Sequence, residues 1–125
     1  MEATVRVLLV DDDATFRDSL RQLIESQPLL GVVGAASDGL AAIELADALS
    51  PDAVVIDLHM PLLDGVTAIA RLRRDHPNVC LIALTADETK KVHEAVREAG
   101  ADAVLMKDDF LETLMDQLRA VRATT

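Results

Sequence analysis

Five short apolar runs alternate with five amphipathic stretches along this chain. The runs are Val5 to Val10, Gly31 to Ala36, Ala53 to Asp57, Val79 to Leu84 and Asp102 to Met106. Most are continuously apolar rather than alternating, the pattern of strands covered on both faces of a parallel sheet. The stretches between them place apolar residues at helical spacing. Phe16, Leu20, Leu23 and Ile24 form the first stripe; Leu40, Ile43, Ala46 and Leu49 form the second; Val66, Ile69, Ala70 and Arg73 form a weaker third. Val92, Ala95, Val96 and Ala99 make the fourth, and Leu111, Leu114, Met115, Leu118 and Val121 the fifth. Punctuation agrees with this division: Asp38 and Asp64 stand where helix N-caps belong, and Gly100 where the fourth helix should stop. Ser50-Pro51-Asp52 and His76-Pro77-Asn78 separate helices from the strands that follow.

The alternation predicts one α/β domain over residues 1–125 with the order βαβαβαβαβα. Right-handed crossovers and helices on both faces favour a doubly wound, flavodoxin-like five-stranded parallel sheet of order 2-1-3-4-5 with five helices. In that order the ligand crevice lies outside the carboxyl ends of strands 1 and 3.

Composition narrows the function. Half the residues are hydrophobic, yet the only aromatics are Phe16 and Phe110, so the core must be built from Leu, Val, Ile and Ala. A net charge of -10 argues against direct nucleic-acid binding by this domain, because phosphate backbones demand a basic footprint. One cysteine, Cys80, excludes an internal disulfide and reads as a buried small hydrophobe. No apolar stretch approaches the roughly 20 residues of a membrane span. Met1-Glu2-Ala3 does not open a signal peptide, so a cytoplasmic protein is expected.

The polar residues that punctuate the strand ends are chemically matched. Asp57 ends the third run, Asp11-Asp12-Asp13 follow the first, Thr85 follows the fourth and Lys107 closes the fifth. The predicted order sets Asp11 and Asp12 one strand spacing, roughly 4.8 Å, from Asp57. Thr85 falls one strand to the other side and Lys107 one strand further. Carboxylates this close repel one another unless a cation joins them, and Mg²⁺ suits one or two carboxylates plus a phosphate oxygen. Asp57 then reads as a nucleophile whose product is an aspartyl phosphate. The metal and Lys107 would neutralise the transferring oxygens, and Thr85 would donate a hydrogen bond to one of them.

These residues resemble the receiver domain of two-component response regulators, over Val5 to about Val121. The match lies in the acidic pair Asp11-Asp12, in Asp57 with the continuation Met60-Pro61-Leu62-Leu63-Asp64-Gly65, in Thr85 followed by the small Ala86, and in Lys107. The resemblance implies that Asp57 is the phosphoacceptor, and that Asp12, Asp57 and the backbone carbonyl of His59 ligate Mg²⁺, with Asp11 acting through water. It implies a sensor histidine kinase or phosphotransfer protein as partner, admits a homodimer, and confines catalysis to phosphotransfer and hydrolysis at the domain's own aspartate.

Ser37-Asp38-Gly39-Leu40-Ala41-Ala42, Asp57-Leu58-His59-Met60-Pro61 and Lys107-Asp108 are most similar to receivers of the NarL/LuxR type, commonly joined to a helix-turn-helix output domain that controls transcription. The chain stops where a linker to such a domain would begin, so the output domain is expected outside it.

Two departures stand out. Val104 occupies the position, three before the lysine, where the family usually carries Tyr or Phe, so switching is expected to rely on Thr85, the fourth helix and the fifth strand. Asp108 replaces a frequent proline, which makes a trans bond after Lys107 the default. His59 and Asp87 should flank the pocket, Asp13 should face its entrance or cap the first helix, and His76 and His93 read as surface residues. Two other functions compete. Asp11-Asp12-Asp13-Ala14-Thr15 also fits the Asp-x-Asp-x-Thr motif of haloacid-dehalogenase-like phosphatases, with Asp11 as nucleophile. A receiver-like interaction domain that works without phosphorylation is the other, kept open by Val104.

Overall fold

Continuous apolar runs become strands because both faces of each are covered. The computed structural model describes residues 4–59 and 64–121, so Met60-Pro61-Leu62-Leu63 of the motif lies outside the described residues. The strands are β1 (Val5–Val10), β2 (Leu30–Ala36), β3 (Ala53–Asp57), β4 (Cys80–Thr85) and β5 (Ala103–Met106). They alternate with α1 (Ala14–Glu25), α2 (Gly39–Leu49), α3 (Gly65–Asp75), α4 (Lys90–Ala99) and α5 (Leu111–Ala120). The sheet is parallel with the order β2-β1-β3-β4-β5, as the pattern predicts. Strand bounds differ from the apolar runs by one residue at β2, β4 and β5, which makes Thr85 the last residue of β4.

Successive residues of a strand serve opposite cores. Leu8, Val10, Val54, Ile56, Leu81 and Ala83 pack under α2, α3 and α4. Val7, Leu9, Val55, Ile82 and Leu84 pack under α1 and α5. The helix stripes are only partly as expected. Leu23 and Leu40 are 43% and 45% exposed, and Ala70 and Ala95 are also outside the core. In α2 the expected Ile43 and Ala46 are buried, joined by Gly39 and Ala42 in place of Leu40 and Leu49, and three of these four residues are small enough to let the helix lie close to the sheet. In α3 it is Gly65, Ala68, Ile69 and Leu72.

Arg73, counted in the third stripe, is a polar hub. Its guanidinium donates to the carbonyls of Gly100, Pro77 and Val79 at 3.0, 2.8 and 2.9 Å, and to Asp102 Oδ2 at 2.7 Å. Asp102 Oδ2 also accepts from Leu81 N at 2.8 Å, so one side chain of α3 ties the end of α4 to the start of β4. Gly100 stops α4 as expected, at φ 123°, where a Cβ would meet Arg73 Cγ at 2.7 Å. Gly100→Ala combines a disfavoured backbone conformation with this clash and should cost about 1–3 kcal/mol, read from urea unfolding. An unchanged midpoint would show that the hub can rearrange freely.

Asp13, Asp38 and Asp64 each accept the backbone N–H three residues on, capping α1, α2 and α3. Cys80 is half-buried rather than fully buried at the start of β4, and burial pushes its thiol up to about 11, which leaves it inert near neutral pH. No helix among the described residues is long and apolar enough to cross a membrane.

Candidate functional site

Three strands finish with one device: a side-chain oxygen accepts the backbone N–H two residues later. Asp11 Oδ1 takes Asp13 N at 2.9 Å, Asp57 Oδ1 takes His59 N at 3.1 Å, and Thr85 Oγ1 takes Asp87 N at 3.0 Å. Each bond turns the chain sharply at the sheet edge and fixes the side chain that makes it. For the two aspartates it also leaves Oδ2 facing the crevice.

Lys107 fills that crevice. Its backbone N–H donates to Thr85 O at 2.9 Å, which extends the β4–β5 ladder by one step and aims the side chain back across the sheet. Nζ lies 3.1 Å from Asp57 Oδ2 and 3.1 Å from Asp11 Oδ2. Asp57 and Asp11 are both 4% exposed, whereas Asp12 is exposed. Asp11, Asp12 and Asp57 each offer an oxygen within 4.8 Å of the others. The predicted convergence of Asp11, Asp12, Asp57 and Lys107 is therefore present.

Electrostatics of the cluster are unbalanced. Burial raises the Asp11 carboxyl above its ordinary value, and the charge of Asp57 adds to the effect against the opposing pull of Asp13 N and Lys107. Burial works against the Lys107 ammonium as well, but Asp57 and Asp11 outweigh it and hold the lysine above its ordinary value. Asp11 Oδ2 is buried and stands in ion contact with Lys107 without a hydrogen bond. A buried carboxylate oxygen in that state, with two more acids beside it, fits a hard divalent cation.

Thr85 is fully buried, one position beyond the Asp57–Leu84 pair, and its hydroxyl is engaged within its own loop. The chain of contacts continues from there. Asp87 Oδ1 accepts Thr89 N at 2.7 Å, and His93 Nε2 donates to Asp87 O at 2.8 Å. Hydrogen bonds from Thr89 hold the Asp87 carboxyl below the ordinary carboxylate range, with His59 and His93 helping. His93 is thus half-buried and bonded rather than a plain surface residue, and His76 likewise pairs with Asp47 at 2.9 Å. Asp13 caps α1, one of its two expected places.

Sequence reasoning missed two neighbours of the cluster. Arg17 Nη1 donates to Asp11 O at 2.7 Å, and the Phe16 ring lies under Lys107. Both sit in the first turns of α1, where Phe16 carries no polar signal and Arg17 looks like any exposed helix cation. Val104 is buried among Ala83, Val96 and Ala101. The described residues contain no cis peptide bond, so the Lys107–Asp108 bond is trans as expected. A cavity of about 790 Å³ opens at the opposite edge of the sheet, lined by Asp52, Arg73, His76, Cys80 and Asp102 among others. Arg73 and Asp102 are committed to each other there, and the acidic cluster lies at the far end of the same strands.

Comparison with known proteins agrees with this geometry. Residues 7–119 match the family model described as the response regulator receiver domain. The nitrate/nitrite response regulator protein NarP of Escherichia coli is 39% identical over 120 residues, covering 95% of this chain and 56% of that protein. A protein-glutamate methylesterase/protein-glutamine glutaminase of Anaeromyxobacter dehalogenans is 37% identical over 119 residues, 95% of this chain but 35% of the relative. Among solved structures, the signal receiver domain of a NarL response regulator from Mycobacterium tuberculosis superposes with a TM-score of 0.86 at 28% identity, covering 94% of this chain and 98% of that one. The chain thus spans about half the length of NarP and a third of the methylesterase, matching the segment that proteins of different activity share. By fold, site and sequence alike, this chain belongs to the receiver domains of two-component response regulators.

Proposed function

We propose that Asp57 is the phosphoacceptor of this receiver, loaded from the phosphohistidine of a sensor histidine kinase or phosphotransfer protein. What supports the reading is the shared ammonium: Lys107 bridges Asp57 Oδ2 and Asp11 Oδ2 at 3.1 Å each, at the carboxyl edge of the central strands. Asp57 Oδ1 stays tied to His59 N, so Oδ2 is the oxygen that attacks phosphorus. The O–P bond forms as the P–N bond to the donor imidazole breaks, and the imidazole leaves with the electron pair. Lys107 needs only to turn from Asp57 Oδ2 to a phosphoryl oxygen, so the positive charge follows the negative one.

Receiver domains bind Mg²⁺ at an acidic pocket, and this chain has the acid cluster for it. Asp12, Asp57 and the His59 carbonyl would hold the ion, with Asp11 acting through water. Bound there, Mg²⁺ supplies charge neutralisation to the transferring oxygens. Thr85 would leave Asp87 N and donate its hydroxyl to the phosphoryl group, which frees the loop that leads into α4. Val104 has no ring to follow that movement, so the signal would run through the loop, α4 and β5. Control of a transcriptional output and pairing of two receivers are the consequences we assign to it.

The phosphatase alternative needs Asp13 as its acid, and that side chain caps α1 instead, while Asp11 is engaged much as Asp57 is, by one backbone N–H and by Lys107. Incubation with Mg²⁺ and phosphoramidate, followed by mass mapping, should place one phosphoryl group on the peptide containing Asp57. Label on Asp11 would overturn the assignment.

A further inference from the structure

The chain has two phenylalanines and no tyrosine or tryptophan, and folding brings Phe16 to the lysine of the acidic cluster and Phe110 against Phe16. Lys107 Nζ lies 4.5 Å from the centroid of the Phe16 ring. The two rings meet at 5.7 Å between centroids with a 45° tilt. Phe16 comes from the first turn of α1 and Phe110 from the residue that opens α5. Both are half-buried at the rim of a core that is otherwise aliphatic apart from one methionine and one cysteine.

The ammonium therefore has anions on two sides and a ring face on another. An aliphatic side chain there would exclude water but give no attraction. An aromatic face attracts the cation through its quadrupole and imposes no hydrogen-bond direction. Lys107 can then turn between carboxylate and phosphoryl oxygens without giving up its contact with the ring. Phe110, packed at a tilt against Phe16, keeps that face in place.

We propose that Phe16, backed by Phe110, is a positioning residue for Lys107, holding the ammonium over the acidic cluster while negative charge moves from the Asp57 carboxylate to a phosphoryl group. The proposal rests on the phosphoacceptor reading of Asp57. Phe16→Leu should slow phosphorylation of the chain by phosphoramidate in Mg²⁺ about five-fold, the size of a partly desolvated cation–π contact. Phe16→Tyr should restore the rate. Phenylalanines carrying one to three ring fluorines at position 16, nearly unchanged in size but poorer in π density, should slow it stepwise. A rate unmoved by fluorination, or a Leu variant as fast as the parent, overturns the proposal.

A second readout needs no phosphoryl group. The Lys107 ε-methylene protons should be shifted upfield by the ring in the parent and return to ordinary positions in Phe16→Leu. Ordinary positions in the parent overturn the proposal even where Asp57 is labelled. Shifted protons in a parent that takes no label retire the phosphoacceptor reading and leave the contact standing.

Discussion

Asp57→Asn abolishes phosphoryl acceptance while leaving the fold in place. An amide is not a nucleophile, and of the other carboxylates of the cluster Asp12 lies outside the buried edge while Asp11 Oδ2 faces Lys107 from the neighbouring strand. The asparagine oxygen can serve either His59 N or Lys107, but not both, since its amide nitrogen is a donor like each of them. The resulting loss is offset by removing the charge that Asp57 presents to Asp11, so the unfolding midpoint should move little. Intact-protein mass after phosphoramidate treatment reads the first effect, and urea unfolding the second. Incorporation at the parent level would sink the assignment of Asp57.

Lys107→Met has the larger effect on stability. It keeps the bulk of the side chain and removes the cation 3.1 Å from two carboxylates that are both 4% exposed. Breaking a fully buried pair from one side costs about 3–5 kcal/mol. The Lys107 side chain is 25% exposed, so solvent screens part of that, and about 1–3 kcal/mol is the expected loss in a chelator-containing buffer. The lysine is held above its ordinary value, so its stabilisation is complete at neutral pH and fades only as pH climbs through the folded-state value.

Millimolar Mg²⁺ should recover much of the deficit, because each tenfold excess over the dissociation constant adds about 1.4 kcal/mol to the state that binds it. Phosphoryl acceptance should remain slow, since Met cannot turn toward a phosphoryl oxygen. Urea titrations with chelator and with Mg²⁺ check this. If the variant matches the parent in chelator, the acids do not depend on the lysine as described.

The sheet and the acid cluster were legible because they depend on short-range regularities. Val7-Leu8-Leu9-Val10 and Ala53-Val54-Val55-Ile56, short, rich in β-branched residues and bounded by turn residues, fit doubly covered strands, and the residue after such a run stands at an edge. Register then brings Asp11, Asp57 and Lys107 together without any detail of packing. The helix faces were less legible. Leu40 has the hydrophobicity of a core residue, but Ala42 and Ala46 fit closer to the sheet, and closeness decided which way α2 turned. Contacts between distant segments were not visible at all. Arg73 finds Gly100 and Asp102 across 27 and 29 residues, and Phe16 meets Lys107 only because the lysine side chain reaches back across the sheet edge to the start of α1. Neither pairing leaves a local spacing to detect.

The Arg73 hub also gives α4 two unequal ends. Beyond its last residue the chain is locked by a guanidinium with four partners and a glycine where any side chain is strained. At its start Thr89 makes no side-chain cap, and along its length only Val96 is buried. A rod pinned at one tip and lightly seated elsewhere pivots rather than slides. Whatever loosens the loop after Thr85 would therefore be magnified into a sweep of the outer face of α4, with Gly100 as the fulcrum.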